Sequence, residues 1–188
     1  MGKLIAYGMG PYSFFDQVSS LGYKFDYEEA KRLFRTYEKK FMVGIDFLRD
    51  AGRQAYSEGY LASISGRRRY WLKPDPDDAK KYPMGMADPA YTGRRAGIER
   101  EGGNFLIQSV NADMTKRAMI LIRNHVKTNK IRSKFMNQVY DEIVTRTHKD
   151  DSEEFVKVKR KLMLEAASQY LKTIPMAVDG HVGDSWTK

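Results

Sequence analysis

Apolar side chains recur every three or four residues over much of the chain, which is the spacing of one buried face of an α-helix. The clearest case follows Asp26 and Glu29, whose separation is that of a helix-capping box. Its apolar positions are Ala30, Leu33, Phe34, Tyr37 and Phe41. The same spacing predicts further helices over residues 12–21, 43–57, 104–127 and 152–172. The longest of these carries its apolar stripe at Ile107, Val110, Met114, Ala118 and Leu121.

Shorter apolar runs, rich in β-branched and aromatic residues, predict strands. They lie at residues 60–64, at 131–147 as two strands around a tight turn, and at 176–186. Residues 73–97 hold most of the prolines and are predicted to form a long loop. Because helices come first and strands mixed with helices follow, we expect an α+β architecture.

Composition and charge narrow the range of partners. The 188 residues suffice for one ordinary domain or for part of a larger one, and 41% of them are hydrophobic. The formal net charge of +9 favours a polyanion partner such as nucleic acid. No apolar run is long enough to cross a membrane, so we expect no membrane partner. The absence of cysteine excludes disulfides and thiolate metal sites and fits a reducing compartment.

Two adjacent acids interrupt the apolar run FMNQVYDEIVTRT at residues 135–147. Neighbouring residues of a strand point to opposite faces, so Asp141 and Glu142 would be hard to place together within one strand. At the tip of a hairpin, both can reach one exposed spot. They form either an ordinary polar turn or a site for a hard cation such as Mg²⁺, which often takes one or two protein carboxylates together with substrate phosphates.

Polar side chains recur four residues apart around the start of the longest predicted helix. Arg100, Asn104 and Gln108 therefore share one helix face. Amide groups in such a row suit hydrogen bonds to sugars and base edges, including the minor-groove acceptors that all base pairs share. The alternative interpretation is a face that only contacts solvent.

A basic cluster, Arg67, Arg68 and Arg69, directly precedes Tyr70 and Trp71. Cations beside aromatic rings suit phosphate contact and base stacking. A solvated charge run has the same composition and is the alternative. The three histidines show no metal-ligand spacing, and the sequence contains no Walker A pattern.

Six short motifs occur in a defined order along the chain. They are IAYGMG at 5–10, YLASISGRRRYW at 60–71, an ER…N…Q pattern at 99–108, ADMTKRAM at 112–119, QVYDE at 138–142 and VGDSW at 182–186. In this order they resemble the C-terminal part of family A DNA polymerases, the class of bacterial DNA polymerase I and related phage enzymes. The first motif is similar to the end of the family's motif B on the fingers helix, and QVYDE is similar to its motif C, usually Q-V-H-D-E.

The resemblance implies a partial polymerase domain. Residues 1–58 would be a helical portion of the fingers. Residues 59–188 would be a palm portion, with part of an antiparallel palm sheet, flanking helices and the motif C hairpin. The implied activity is that of a DNA-directed DNA polymerase, a nucleotidyltransferase that adds a dNTP to the 3′-hydroxyl of a DNA primer–template. Two Mg²⁺ ions would act in the complete site, as in other two-metal nucleotidyl transfers.

The resemblance also implies roles for individual residues near the chemistry. Asp141 would be a catalytic metal ligand, and Glu142 would assist beside the primer end. Tyr7 would stack near the templating position, with Gly8 directly after it, and help to check the nascent base pair. Tyr140 stands where the family usually has histidine. Tyrosine can still donate and accept a hydrogen bond, but it does not titrate near neutral pH.

Further residues would contact nucleic acid. Arg100, Asn104 and Gln108, together with Tyr140, would bind the primer–template. The cluster Arg67, Arg68 and Arg69 would support either the nucleic acid or the arrangement of fingers and palm.

The family pattern also contains parts for which these residues offer no counterpart. Motif A with its metal-binding aspartate, the basic residues that grip the incoming triphosphate, and the thumb all lie upstream of motif B in the family. We therefore expect a split polymerase, in which an upstream chain with motif A and the thumb completes the site. The alternatives are a catalytically inactive remnant and a plain nucleic-acid-binding module. A phage origin, by analogy with other split replication genes, would place the protein in the cytoplasm of a bacterial host.

Overall fold

Helices and two short antiparallel sheets make up the computed structural model, which describes residues 9–81 and 83–186. The helices are α1 (Pro11–Ser20), α2 (Tyr27–Lys40), α3 (Met42–Glu58), α4 (Pro89–Thr128) and α5 (Lys149–Ser168). The strands are β1 (Tyr60–Ala62), β2 (Arg68–Tyr70), β3 (Ser133–Val139) and β4 (Glu142–Thr147). Two 3₁₀ segments, Pro76–Lys81 and Gly85–Ala87, precede α4. The predicted α+β architecture is confirmed.

The chain divides into two compact units, residues 1–107 and residues 108–188. Helix α4 contributes residues to both units. The boundary expected from the family resemblance, with fingers over 1–58 and palm over 59–188, stays a prediction.

Helices α1 and α2 are joined by a small aromatic core in the first unit. Phe14 of α1 packs against Ala30 and Phe34 of α2, with the two phenyl centroids 6.1 Å apart. The predicted cap is present, because Asp26 Oδ1 accepts a hydrogen bond from the backbone N–H of Glu29 at 2.8 Å. These helices bury one stripe each.

Within residues 9–81 and 83–186, no helix combines the length and apolar character needed to cross a membrane.

Helices α3 and α4 approach each other closely at positions where the residue is glycine. A Cβ atom on Gly52 would collide with the backbone carbonyl of Glu99, and one on Gly102 would lie 2.5 Å from the Cβ of Ala55. A Cβ on Gly103 would be similarly crowded by α3, at 2.8 Å from a backbone oxygen. The absence of side chains at these positions therefore allows the first part of α4 to lie directly on α3.

The second unit has its own core, which α4, β4 and α5 build together. Its buried members are Ala118, Ile122, Ile143, Phe155 and Ala166. Ile122 is fully buried, and Ile143 is the residue of β4 that points into this core. The position of Ile143 in the core fixes which face of the β3–β4 hairpin is turned away from solvent.

Strands β3 and β4 form the predicted hairpin. They are antiparallel, and Val139 pairs with Glu142, so Tyr140 and Asp141 are the two residues of the turn. Tyr140 has a φ of +55°, which is rare for a residue with a side chain. Two-residue hairpin turns that match the twist of the strands need a positive φ at their first position. The tight turn therefore imposes this conformation on Tyr140.

Helix α4 is longer than the sequence pattern predicted, and the predicted loop over 73–97 is correspondingly shorter. The helix begins at Pro89, and the Asp88 carboxylate accepts a hydrogen bond from the backbone N–H of Ala90 at 2.9 Å. An aspartate followed by a proline is a helix-start signal, because proline fits the first helical position. The single apolar stripe was also wrong in part, since Ala118 is buried but Ile107 is 45% exposed.

The strand predicted over residues 176–186 is absent from the structure. The carbonyl of Val178 accepts a hydrogen bond from Arg160 Nε at 2.9 Å, so a side chain takes the place of a neighbouring strand. Gly180 and Gly183 also lower the strand propensity of this segment. The segment therefore follows the surface of α5 without regular structure.

We expect Gly102→Ala to lower the free energy of unfolding by about 1–3 kcal/mol, because the added methyl group would overpack the α3–α4 contact. Urea denaturation followed by far-UV circular dichroism measures the change. Gly97→Ala is the matched control on the same helix, since a Cβ there meets nothing within 4 Å. It should raise stability by up to about 1 kcal/mol through helix propensity. Equal stability of the two variants would contradict the close approach.

We expect Tyr140→Asn to raise the free energy of unfolding by about 0.5–1 kcal/mol, because asparagine tolerates a positive φ better than tyrosine. Tyr140 is 81% exposed, so the exchange removes little packing. Tyr140→Phe is the control, because it keeps the backbone cost and removes only the hydroxyl group. Thermal unfolding of both variants measures the difference, and an asparagine variant no more stable than the phenylalanine variant would refute the argument.

Candidate active site

The β3–β4 turn presents Asp141 to solvent. The turn is braced by Gln138, whose side-chain amide donates to the carbonyl oxygen of Tyr140 at 3.0 Å. The Asp141 carboxylate is exposed and forms no hydrogen bond or ion pair with the residues that the structure describes. A carboxylate in this position is open to a cation from solvent or from a bound substrate.

Glu142 occupies a different environment from its neighbour. It is the first residue of β4 and is half-buried. Its Oε1 atom accepts a hydrogen bond from the indole N–H of Trp186 at 2.8 Å. The two acids of the motif are therefore not equivalent, because Asp141 is free and Glu142 is already held.

Lys159 of α5 brings a positive charge close to the start of β4. Its Nζ donates to the carbonyl of Ile143 at 2.5 Å and lies 3.4 Å from the hydroxyl oxygen of Thr145. Burial lowers the pKa of Lys159 below its ordinary value, and the nearby Glu142 carboxylate partly offsets this effect. The ammonium group thus supports the backbone of β4 next to the turn.

The predicted polar row lies on α4. Arg100 and Gln108 are exposed and Asn104 is half-buried, each four residues from the next along the continuous helix. In the first unit, Arg100 and Asn104 line a cavity of about 670 Å³. Arg35 and Arg49 also line it. Guanidinium groups in a cavity attract anions such as phosphate.

The arginine cluster is largely engaged in contacts within the β1–β2 hairpin and its surroundings. The guanidinium of Arg68 lies 5.3 Å from the ring centroid of Tyr60. A hydrogen bond to the Tyr70 side chain raises the pKa of Arg68 above its ordinary value.

Arg69 pairs with Glu101 of α4 and lies 5.0 Å from the ring centroid of Trp71. The indole N–H of Trp71 donates to the same carboxylate at 3.0 Å. Arg69 therefore ties the hairpin to α4, next to Arg100. The predicted role in binding or support stays a prediction for the cluster as a whole.

Tyr7 and Gly8, the residues predicted to lie beside the nascent base pair, are outside the described residues. Their proposed role rests on the sequence motif alone.

The carboxylates fit part of a magnesium site. Within the described ranges 9–81 and 83–186, no group of three or more histidine, cysteine, aspartate or glutamate side chains is placed to hold a metal ion. Asp141 offers one free carboxylate of the hard type that Mg²⁺ prefers. Because Mg²⁺ binds through one or two protein carboxylates together with substrate phosphates, Asp141 matches one protein ligand of such a site.

The sequence motifs do not identify three side chains that organise their surroundings: Trp186 and Lys159 beside the β3–β4 turn in the second unit, and Glu101 beside the β1–β2 hairpin in the first. In the sequence, Trp186 occurs as part of the VGDSW motif, and Lys159 and Glu101 occur among many other charged residues. An indole N–H donates but cannot accept, so a tryptophan that is partly buried needs an acceptor. That requirement signals a partner for each of the two tryptophans without identifying it.

Comparison with known proteins agrees with the motif order. The family model described as "DNA polymerase family A" matches residues 4–188. DNA polymerase I of Mycobacterium leprae (strain TN) is 30% identical over 182 residues, which are 97% of this chain and 18% of that protein. DNA polymerase I of Treponema pallidum (strain Nichols) is 28% identical over 182 residues, which are 97% of this chain and 16% of that protein.

A solved structure is also similar. The POL domain of Pol1 from M. smegmatis, in complex with DNA primer-template and dNTP, matches with a TM-score of 0.66 and 30% identity. The match covers 86% of this chain and 25% of that one. The chain thus spans less than a fifth of the length of the two curated relatives and a quarter of the structural neighbour. The motifs, the fold and the family match agree, and the chain belongs to family A of the DNA polymerases.

Proposed function

We propose that this chain supplies the motif C side of a DNA polymerase active site. The observation that carries the proposal is the exposed Asp141 carboxylate at the tip of the β3–β4 turn, free of partners among the described residues. Family A DNA polymerases generally use Mg²⁺, and a free carboxylate is the kind of ligand that such an ion prefers. The reaction is template-directed transfer of a nucleotide from a dNTP to a primer 3′-hydroxyl.

Two bound Mg²⁺ ions would stabilise the attacking and leaving oxygens of this transfer. In our proposal Asp141 holds one ligand position, and Glu142 stands beside the primer end. Tyr140 lies exposed at the same turn, where its hydroxyl group can contact the primer–template. The remaining carboxylate and the triphosphate grip would come from a polypeptide with motif A and the thumb, which is the complementing upstream chain of the split arrangement.

The polar row on α4 would bind the primer–template. The amide groups of Asn104 and Gln108 can donate to the minor-groove acceptors that every base pair presents. Arg100 adds a charge for a phosphate or sugar oxygen. Such contacts do not depend on base identity. A polymerase requires this independence, because it binds a different base pair at each step. From the sequence motif, we assign Tyr7 and Gly8 to the nascent base pair.

The structural neighbour supports this assignment of partners, because it is a complex with DNA primer-template and dNTP. It is 30% identical to this chain. We therefore propose the same two partners for this chain, and the experiments below test each of them.

A plain nucleic-acid-binding module is the second candidate, and a charge pattern favours it. Residues 114–140 contain no aspartate or glutamate. Their cations are Lys116, Arg117, Arg123, Lys127, Lys130, Arg132 and Lys134. Such a segment attracts any polyanion in a salt-dependent way. This candidate requires no Mg²⁺ and no function for Asp141, which separates it from the polymerase proposal.

We expect no primer extension by this chain alone and Mg²⁺-dependent extension when a candidate upstream chain with motif A is added. Asp141→Ala should then reduce extension on the order of 100-fold or more, because a metal ligand is lost. Glu153→Gln is the control, since Glu153 is an exposed acid on α5. Robust extension by this chain alone would overturn the split arrangement, and an Asp141→Ala variant with full activity would favour the non-catalytic alternatives.

We expect Asn104→Ala to weaken binding of a primer–template by a factor of about 5–10, equivalent to roughly 1 kcal/mol for one lost hydrogen bond. The loss should be similar for A·T-rich and G·C-rich duplexes, because the acceptors are common to both. Asn124→Ala is the matched control, as Asn124 is an exposed amide further along α4. Fluorescence anisotropy measures binding, and an equal effect of both variants would contradict a specific role for the polar row.

A further inference from the structure

The segment that follows α5 returns along that helix to the β3–β4 turn. Arg160 Nε donates to the carbonyl of Val178 at 2.9 Å. Gly180 then passes so close to α5 that an added Cβ would lie 3.1 Å from a methyl carbon of Val156. The segment reaches β4 at Trp186, whose indole N–H donates to Glu142 Oε1 at 2.8 Å. Residues 176–186 therefore form a strap from α5 to the hairpin.

The hydrogen bond at the end of this strap is specific in its chemistry. An indole N–H can only donate, and a carboxylate can only accept, so the pair has one arrangement. Trp186 is 49% exposed, so burial of its ring does not by itself explain its position. The half-buried Glu142 in turn receives the field of the Lys159 ammonium group, which is fixed to the backbone of Ile143. The hydrogen bond from Trp186 is therefore the contact that orients Glu142, and the nearby positive charge favours its ionised form.

We propose that Trp186 is a positioning residue that orients the Glu142 carboxylate beside Asp141. The expected effect of Trp186 on catalysis rests on the proposed polymerase function, whereas the contact between Trp186 and Glu142 does not. With Oε1 occupied by the indole, Glu142 keeps one oxygen for the primer end or for water in the site. Asp141 is then the direct metal ligand of the pair, and Glu142 acts through its fixed orientation.

The chain contains an internal control for this idea. It has two tryptophans, and the indole N–H of the other one, Trp71, donates to Glu101 at 3.0 Å within the first unit. The N–H signal of each indole therefore reports the hydrogen bond to one glutamate. A change that affects one pair should leave the signal of the other pair unchanged.

The geometric test uses the full chain labelled with ¹⁵N and the two indole N–H signals of its NMR spectrum. Trp186→Phe and Trp71→Phe assign the signals. We expect Glu142→Ala to shift the Trp186 signal and to speed its exchange with solvent, and Glu142→Gln, which keeps an acceptor oxygen, to change it less. Glu101→Ala should move only the Trp71 signal. An unchanged Trp186 signal in Glu142→Ala would overturn the proposed contact.

The functional test uses extension by this chain together with the upstream chain. Trp186→Phe keeps an aromatic ring but removes the donor and one ring of the indole. Because Trp186 is 49% exposed, we expect only a small change in thermal unfolding. We expect kcat to fall on the order of 10-fold, because Glu142 would lose its fixed orientation beside the primer end, with the KM for dNTP unchanged. In the Glu142→Ala background, where the acceptor is already absent, the added Trp186→Phe change should have little further effect.

The outcomes separate this inference from the proposed function. If Asp141→Ala leaves extension intact, the polymerase proposal fails, whereas the NMR result still decides the Trp186–Glu142 contact. If Asp141→Ala abolishes extension but Trp186→Phe leaves kcat unchanged, the polymerase proposal stands and the positioning role of Trp186 is refuted. A parallel loss of thermal stability in Trp186→Phe would assign the strap a purely structural role and would also refute it.

Discussion

The two-residue turn between β3 and β4 is the constraint on which the second unit depends. The pairing of Val139 with Glu142 leaves no freedom in the register, because a shift by one residue would turn every side chain of β4 to the other face. In the observed register, Ile143 enters the core and Asp141 stays in solvent. The positive φ of Tyr140 is the backbone cost of this two-residue turn. The same turn that closes the hairpin therefore also presents the candidate metal ligand.

The first unit depends on a different constraint, which is the absence of side chains at the α3–α4 contact. Gly52 and Gly102 allow backbone to lie against backbone. Glu101, the residue before Gly102, then ties α4 to Arg69 and Trp71 of the neighbouring hairpin. The part of α4 next to Arg100 is thus held both by close packing and by a charged hydrogen-bond cluster. A rigid helix is a better platform for contacts to a duplex than a mobile loop, since its side chains need less ordering on binding.

The sequence predicted much of this fold, because local rules decide most of it. The capping box at Asp26 and the hairpin around Asp141 follow from residue spacing and turn chemistry. The start of α4 at Pro89 was not predicted, because the prolines and charged residues of 73–97 indicated a loop. The sequence Asp88–Pro89 is nevertheless a helix-start signal. The course of residues 176–186 could not be predicted from local sequence, because the segment contacts the side of α5 instead of pairing with another strand. The motif order predicted the candidate site residues, but the unequal environments of Asp141 and Glu142 emerge only from the packing.

The inequality of the two acids bears on how a partial site behaves. A single carboxylate gains little from Mg²⁺ in water, because the ion sheds its hydration shell reluctantly and needs several oxygen ligands. In our proposal, Asp141 alone holds the ion weakly, and the other ligands are substrate phosphates and a carboxylate from outside these residues. The hydrogen bond from Trp186 would fix the orientation of the Glu142 carboxylate. Glu142 could then not turn toward the metal ion to replace a missing ligand. Under the proposed function, such a site would assemble only when nucleic acid, nucleotide and the complementing polypeptide are present together, so that the metal would be retained where the reaction occurs.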